Sequence, residues 1–295
     1  MSRIDLDKIY KSGQTFLWDR IIKSDLTTEY LIRSGDGWAL IQQSGSTYGV
    51  IENHSSQDWP EYFDDMTDYD QLAEQYKLNA GRGGIIRAAV EAGDGLRILR
   101  QTPWDAAVQF ILSQNNNIPR IKKCVDALAV RYNGTIMVEH QRFAGCLPTA
   151  AQIAKGGPGG LEGLGLGYRA AYLYNLARNW PLISKNLEKE DSYSNHFRTL
   201  CSVYGIGPKV ANCICLFGLH DTEAVPVDTW IAKITERALG GVFPSDVPEP
   251  GVLQQYLFYA VTNCPEIRER YLGEVPEKKS IIYNKKARRD LAGRG

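Results

Sequence analysis

The chain has 295 residues, 43% hydrophobic and 23% charged, with 34 basic residues balancing 34 acidic ones. That length suits one or two domains with a sizeable core, and no apolar run approaches the roughly 18 residues a membrane helix needs. Zero net charge argues against a polyanion binder that grips many phosphates, though it leaves room for a local basic patch. The opening MSRIDLDKIYKSGQTF carries early acids and no apolar stretch, which argues against a signal or transit peptide. Six cysteines, at 124, 146, 201, 213, 215 and 264, form no CxxC pair, so reduced thiols in a cytoplasmic protein are expected.

In chain order, residues 1–60 read as strands. EYLIRS, WALIQQ and TYGVIEN cluster β-formers between SGDG and SGS turns, which favours an antiparallel sheet. From about residue 68 the period changes. DYDQLAEQYKLNA, IIRAAVEAG and TPWDAAVQFILSQ place apolar residues three to four apart, as helices do. In TPWD, Thr102 is a candidate cap, with Pro103 in the first turn and Asp105 completing the box. Further helices are expected over 119–132, 149–155, 167–184, 192–203, 208–219, 228–239 and 250–263. The expected fold class is α+β, with an antiparallel β domain over 1–66, a mainly helical domain over 67–280 and a basic tail over 281–295. The glycine-dense GGPGGLEGLGLG, residues 156–167, reads as a flexible connector; its GxGxxA match follows no strand and so is no dinucleotide fingerprint. The KKARRD run near the end reads as a solvated tail.

The chemistry concentrates in GIGPKVANCICLFGLHDTEAVPVDTWIAKITERAL, residues 205–239. Gly205-Ile206-Gly207 between two helical patterns forms a helix–hairpin–helix junction. Its glycines allow close backbone approach, and the following helix start offers amides to a phosphate. Lys209 sits in that first turn, where the helix dipole disfavours a cation. A solvent-exposed lysine would explain it blandly. A nucleophilic lysine must be neutral, which an ordinary one is only about once in a few thousand at pH 7. A desolvating pocket is the chief way to change that. Asp228 follows VPV and opens the next helix as an N-cap; the same carboxylate suits a developing positive charge. Because an aspartate beside a lysine favours the cation, activation needs proton transfer or burial by the substrate.

These residues resemble the helix–hairpin–helix (HhH-GPD) glycosylase motif, whose hairpin lysine and following aspartate are catalytic. SGQTFLW (12–18), SQNNNIPRI (113–121), LGLGYRAAYL (164–173) and QQYLFYA (254–260) narrow the resemblance to 8-oxoguanine DNA glycosylases of the Ogg type, over most of the chain. The resemblance implies a bifunctional glycosylase and AP lyase of base excision repair, acting on duplex DNA with 8-oxoguanine opposite cytosine. It makes Lys209 the nucleophile and Asp228 its electrostatic partner. It assigns Gly13, Cys213, Gln254 and Phe258 to the flipped base, with the Gly13 carbonyl reading the lesion's N7–H. Asn115, Arg120, Tyr168 and Arg169 would fill the vacated stack and read the widowed cytosine, and Gly205 and Gly207 would meet the DNA backbone. Taken singly, these residues read as a polar turn, surface charges, core aromatics and turn glycines.

Trp230 departs from the histidine that eukaryotic members usually carry, and GVLQQYLF departs from the usual glycine–aromatic–alanine run. No cofactor or catalytic metal is implied, though the hairpin carbonyls leave room for a structural monovalent or divalent cation. The protein is expected to be monomeric and nucleoid-associated in a prokaryotic cytoplasm. An endonuclease III-like enzyme often carries a four-cysteine cluster near its C-terminus, and only Cys264 lies beyond residue 215 here. The remaining rivals are an alkylbase glycosylase, disfavoured by Lys209, and a helix–hairpin–helix binding module without chemistry.

Overall fold

The computed structural model describes residues 3–24, 27–78 and 84–273, so the KKARRD run lies outside the described residues. Contrary to an all-strand reading of residues 1–60, the chain opens with a short helix, α1 (Leu6–Lys11), capped by Asp5, whose carboxylate accepts the Lys8 amide at 3.0 Å. Six residues are too few for a helical period to show against the surrounding β-formers. Four strands then form an antiparallel meander in sequential order: β1 (Trp18–Ser24), β2 (Thr27–Ser34), β3 (Gly37–Ser44) and β4 (Thr47–His54). The second, third and fourth correspond to the three segments read as strands; β1 is an addition.

Alternation sorts this sheet onto two faces. Trp18, Tyr30, Ile32, Ala39 and Ile41 join the main core, while Ile21, Leu31 and Leu40 point the other way. That second face is covered by an unexpected two-stranded hairpin, β5 (Thr135–Val138) and β6 (Gln141–Ala144), through Val138 with Ile136 and Phe143. Arg33, its side chain fully buried, fastens the junction. It donates to the carboxylates of Asp19 (2.9 Å) and Asp126 (3.1 Å) and to the carbonyls of Leu17 and Gly145.

The helical part begins with α2 (Trp59–Tyr62), α3 (Tyr69–Leu78) and α4 (Gly84–Ala92). Helix α5 (Pro103–Ser113) is capped by Thr102 as expected, the hydroxyl accepting the Asp105 amide at 3.1 Å. Helix α6 (Ile118–Asn133) follows, then α7 (Ala150–Gly156), α8 (Arg169–Leu187) and α9 (Tyr193–Cys201). The glycine-dense stretch before α8 is anchored rather than a loose connector. It makes a 3₁₀ turn at Pro158–Leu161 and buries Leu161, Leu164 and Leu166. The 208–219 helix is α10 (Pro208–Ile214), prolonged by a wider π turn, Cys215–Leu219. Then come α11 (Thr229–Ala238), α12 (Pro250–Asn263) and an unanticipated α13 (Pro265–Leu272). Helix α12 is buried on nearly all sides, which puts Gln254 and Gln255 in the interior.

Three buried glutamines hold the SGQTF loop between α1 and β1. Gln14 donates to Ser12 Oγ and to the Arg97 carbonyl, both at 2.9 Å, and accepts the Leu99 amide at 2.8 Å. Gln101 donates to the Gln14 carbonyl at 2.7 Å and accepts from Gln109 Nε2 at 2.9 Å. Gln109 Oε1 accepts the Phe16 amide at 2.6 Å and the Thr15 hydroxyl at 3.1 Å. Each partner left unpaired in such a network costs about 1–3 kcal/mol. Gln109→Leu, which keeps the volume and removes the amide, is therefore expected to lower unfolding stability by about 2–4 kcal/mol in urea titration. An unchanged midpoint would contradict this reading of the network.

Candidate active site

Helix α10, N-capped by the hairpin's Gly207, carries Lys209 in its first turn and Cys213 one turn later. Gly205 has φ +91°, and a Cβ there would stand 2.4 Å from the Tyr172 ring, so the position admits only glycine. The hairpin thus packs directly on α8. Asp228 is the N-cap of α11, with Oδ1 accepting the amides of Trp230 and Ile231, each at 2.9 Å. The capping role is real, and it occupies one carboxylate oxygen only.

Lys209 and Asp228 line one cleft with Ser12, Gly13, Phe110, Cys213, Phe217, Pro226, Gln254, Gln255 and Phe258, enclosing about 340 Å³ of empty space including its mouth. Lys209 Nζ lies 5.2 Å from the centre of the Phe110 ring, and Phe110 stacks on Phe217 at 5.3 Å and 19°. Burial pushes the Cys213 thiol up, and the neighbouring Lys209 amine offsets this only in part. The thiol therefore stays protonated against the amine as a soft, polarisable wall. Gly13 has φ +74°, and a Cβ there would lie 3.5 Å from Phe258 Cε1, so the Phe258 ring packs directly against the Gly13 backbone in the wall of the cleft.

The two adjacent glutamines of α12 divide their work. Gln255 Nε2 donates to the Ser12 carbonyl at 2.8 Å and so ties the SGQTF loop down. Gln254 Nε2 donates to the Pro226 carbonyl at 3.0 Å, and its Oε1 is buried in the cleft with no partner. An orphaned acceptor at the wall of a cleft calls for a ligand donor. A larger groove between α3 and α4 is lined by Arg3, Asp70, Glu74, Glu91 and Asp94 among others, and its lysine, Lys77, is tied to Glu74 at 2.8 Å. Chemistry rather than size singles out the smaller cleft.

The proposed opposite-base residues form a second group, around the loop from α5 to α6. Its three asparagines do different things. Asn116 donates to the Leu112 carbonyl at 3.0 Å, and Asn117 caps α6 by accepting the Arg120 amide at 3.0 Å. Asn115 is exposed at φ +45°, a left-handed position that asparagine tolerates better than most residues. Arg169 is buried. Its guanidinium donates to the carbonyls of Gln114, Asn115 (2.8 Å) and Leu166 (3.2 Å), with the Tyr168 ring 4.6 Å away. Here it shapes the Asn115 loop, whereas Arg120 is exposed. Gln114 Nε2 also donates to the Gly205 carbonyl at 2.9 Å, which joins this loop to the hairpin.

The structure thus brings Lys209, Asp228, Gly13, Cys213, Gln254 and Phe258 together, and sets Asn115, Tyr168 and Arg169 in a separate contiguous group. Sequence reasoning missed Phe110, Phe217 and Pro226, whose apolar character gives no signal, and Gln255, which a glutamine pair in an apolar helix could have flagged. Of the hairpin carbonyls offered to a cation, Gly205 accepts Gln114, and Gly207 accepts the Ala211 amide at 2.9 Å. Among the described residues no three His, Cys, Asp or Glu side chains group to hold a metal ion, and no helix is long and apolar enough to cross a membrane.

Comparison with known proteins agrees with this geometry. Residues 1–106 match the family model for the 8-oxoguanine DNA glycosylase N-terminal domain, and residues 108–242 match that for HhH-GPD superfamily base excision DNA repair proteins. The chain is 34% identical over 158 residues to the N-glycosylase/DNA lyase of Saccharomyces cerevisiae, covering 48% of this chain and 42% of that protein. It is 29% identical over 217 residues to N-glycosylase/DNA lyase OGG1 of Arabidopsis thaliana, covering 64% and 55%. The chain thus spans about half the length of these curated relatives. Among solved structures it resembles the Clostridium acetobutylicum 8-oxoguanine glycosylase/lyase in complex with double-stranded DNA containing cytosine opposite 8-oxoG. That match has a TM-score of 0.76 and 28% identity, and covers 89% of this chain and 93% of the other. The 3-methyladenine DNA glycosylase of Archaeoglobus fulgidus, at 15% identity and a TM-score of 0.67, shares the fold. With an 8-oxoguanine-glycosylase-type N-terminal domain followed by the hairpin domain, the chain belongs to the Ogg branch of the HhH-GPD superfamily of base excision DNA repair proteins.

Proposed function

We propose that this chain is a bifunctional DNA glycosylase and AP lyase that excises 8-oxoguanine, preferably opposite cytosine, from duplex DNA. The observation that carries the reading is the cleft itself. It sets the Lys209 amine and the Asp228 carboxylate beside a slot lined by Cys213, Gly13 and Phe258, with the buried Gln254 acceptor unpaired at its wall. A base within a duplex reaches such a slot only by flipping out, at a cost of a few kcal/mol. The Watson–Crick edge of guanine offers donors at N1 and N2, which suit Gln254 Oε1. Guanine N7 is an acceptor, whereas N7 of 8-oxoguanine carries a proton that the Gly13 carbonyl can receive. One such hydrogen bond, set against repulsion without it, discriminates by a few kcal/mol.

The bond from the neutral Lys209 Nζ to C1′ forms as the C1′–N9 bond breaks, and the electron pair leaves on the base, which takes up the proton that the newly bonded nitrogen sheds. Opening of the sugar ring at O4′ gives the Schiff base, and loss of a 2′ proton expels the 3′ phosphate. Asp228, with Oδ1 spent on its cap, offers its other oxygen to the positive charge that develops on the sugar. Asn115 and Tyr168 would support the gap, with Arg120 and Arg169 reading the widowed cytosine, Arg169 after its loop rearranges.

This chemistry needs no metal or organic cofactor. A cation at the hairpin would be structural and use the second lone pairs of the Gly205 and Gly207 carbonyls. All the proposed reacting and base-reading groups come from one chain, which supports a monomer. A DNA substrate supports a cytoplasmic, nucleoid-associated location.

Borohydride added to the protein with a duplex carrying 8-oxoguanine opposite cytosine is expected to trap a covalent adduct. Thymine glycol should give none, and Lys209→Gln should lower excision by about three orders of magnitude or more. Trapping with thymine glycol alone would favour the endonuclease III-like reading, an enzyme for oxidised pyrimidines, instead. Asp228→Asn separates cap from charge. It should keep stability within a few tenths of a kcal/mol, against a loss of about 1 kcal/mol for Asp228→Ala. Both should lower the single-turnover rate by about 10²–10³. Full activity in the asparagine variant would reduce Asp228 to a cap.

A further inference from the structure

Gln114 ends α5 as its C-cap, at the head of the asparagine loop, and it is held at two places at once. Its backbone carbonyl accepts the Arg169 guanidinium through Nε, at 2.7 Å, and through Nη2, together with the Tyr168 hydroxyl at 3.3 Å. Its side chain reaches the hairpin, where Nε2 donates to the Gly205 carbonyl at 2.9 Å. Gly205 stands four residues before Lys209. One residue therefore has its backbone on the arginine and its amide on the segment that carries the lysine.

Arg169 is buried, and among the described residues it meets no carboxylate. Its partners are the Gln114, Asn115 and Leu166 carbonyls. A buried guanidinium held by neutral acceptors alone keeps its charge uncompensated. An unpaired cytosine offers adjacent acceptors at O2 and N3, which suit two guanidinium N–H groups. Adenine in the same place offers one acceptor, N1, beside a donor, the N6 amine. Arginine has five N–H donors, and those of Arg169 already make four bonds to carbonyls. A two-point grip on cytosine thus withdraws at least one of them from the loop.

We propose that Gln114 is a positioning residue that makes the chemical step depend on the base opposite the lesion. When Arg169 turns to cytosine the Gln114 backbone is released, and its side-chain amide carries the shift to the hairpin and so to Lys209. Opposite adenine Arg169 stays on the loop, and Lys209 keeps its place over the Phe110 ring. The inference rests on the glycosylase reading of the cleft and of Arg169. A second path runs beside the amide, since the Tyr168 ring meets that of Tyr172 at 5.4 Å and the Gly205 backbone presses on Tyr172. Loss of the amide therefore weakens the dependence on the opposite base without abolishing it.

The test measures single-turnover excision at saturating protein, with 8-oxoguanine opposite cytosine or opposite adenine, and the affinity for each duplex by fluorescence anisotropy. The wild-type chain should excise faster opposite cytosine. Gln114→Leu and Gln114→Glu both remove the donor, and each should shrink the cytosine-to-adenine ratio of rates about fivefold or more. The ratio of affinities should change less than about twofold, because Arg169 still reads the base. Asn116→Ala removes the bond to the Leu112 carbonyl in the same loop without touching the hairpin, and it should keep the ratio of rates. A merely structural defect lowers both rates together and leaves their ratio. A wild-type ratio in both Gln114 variants, or an equal loss of it in Asn116→Ala, would overturn this inference alone. Equal wild-type rates opposite the two bases would overturn it along with the preference for cytosine. A wild-type chain that excises neither would overturn the glycosylase reading itself.

Discussion

The buried amides of Gln14, Gln101 and Gln109 are the constraint on which the cleft depends. They bind one another and the backbone in a closed chain, so none can move without leaving a buried donor or acceptor empty. Between them they join the SGQTF loop to the 97–101 segment and to α5. From the other side, Gln255 on α12 holds the Ser12 carbonyl. Gly13 is thereby fixed at a positive φ against Phe258, before any ligand arrives. A slot set by rigid neighbours can discriminate by one hydrogen bond, because a mismatched base cannot be met by a shift of the loop.

The proposed reacting groups are placed by equally local means. Asp228 is held by the helix it caps, with one oxygen committed and one left over. Lys209 is placed by a hairpin whose glycine lets the backbone press on Tyr172, and it sits over Phe110 beside the Cys213 thiol. The Gln114 amide links that hairpin to the loop carrying Asn115, and Arg169 gathers the same loop's carbonyls. The lysine and the proposed wedge are therefore mechanically continuous. Movement of Arg169 toward an unpaired base would release the loop that its guanidinium now holds.

Much of this was legible in the sequence because the signals were local. The Asp228 cap, the Thr102 cap, the alternation in β2 and β3, and the glycine-framed lysine each depend on neighbours a few residues away. What was hidden depends on tertiary packing. Helix α1 is too short to show a period, and β5 and β6 are four-residue strands whose apolar partners lie on the far face of the sheet. Phe110 and Phe217 look like any core aromatics until the fold sets one beneath Lys209. The glycines of 156–167 suggested looseness, yet the leucines between them are buried. The glutamine network was invisible for the same reason, since Gln14 and Gln109 are far apart in the chain and are joined by burial.

The most direct test compares single-turnover excision of 8-oxoguanine with that of its 7-deaza analogue, each opposite cytosine. The analogue keeps the base's outline, its C8 carbonyl and its Watson–Crick edge, and carries carbon where the lesion has N7–H. If a rigid Gly13 carbonyl reads that proton, excision of the analogue should fall by at least about tenfold, the loss of one buried hydrogen bond. Equal rates on the two bases would contradict the account, because the loop that the glutamines hold in place would then have no part in choosing the lesion.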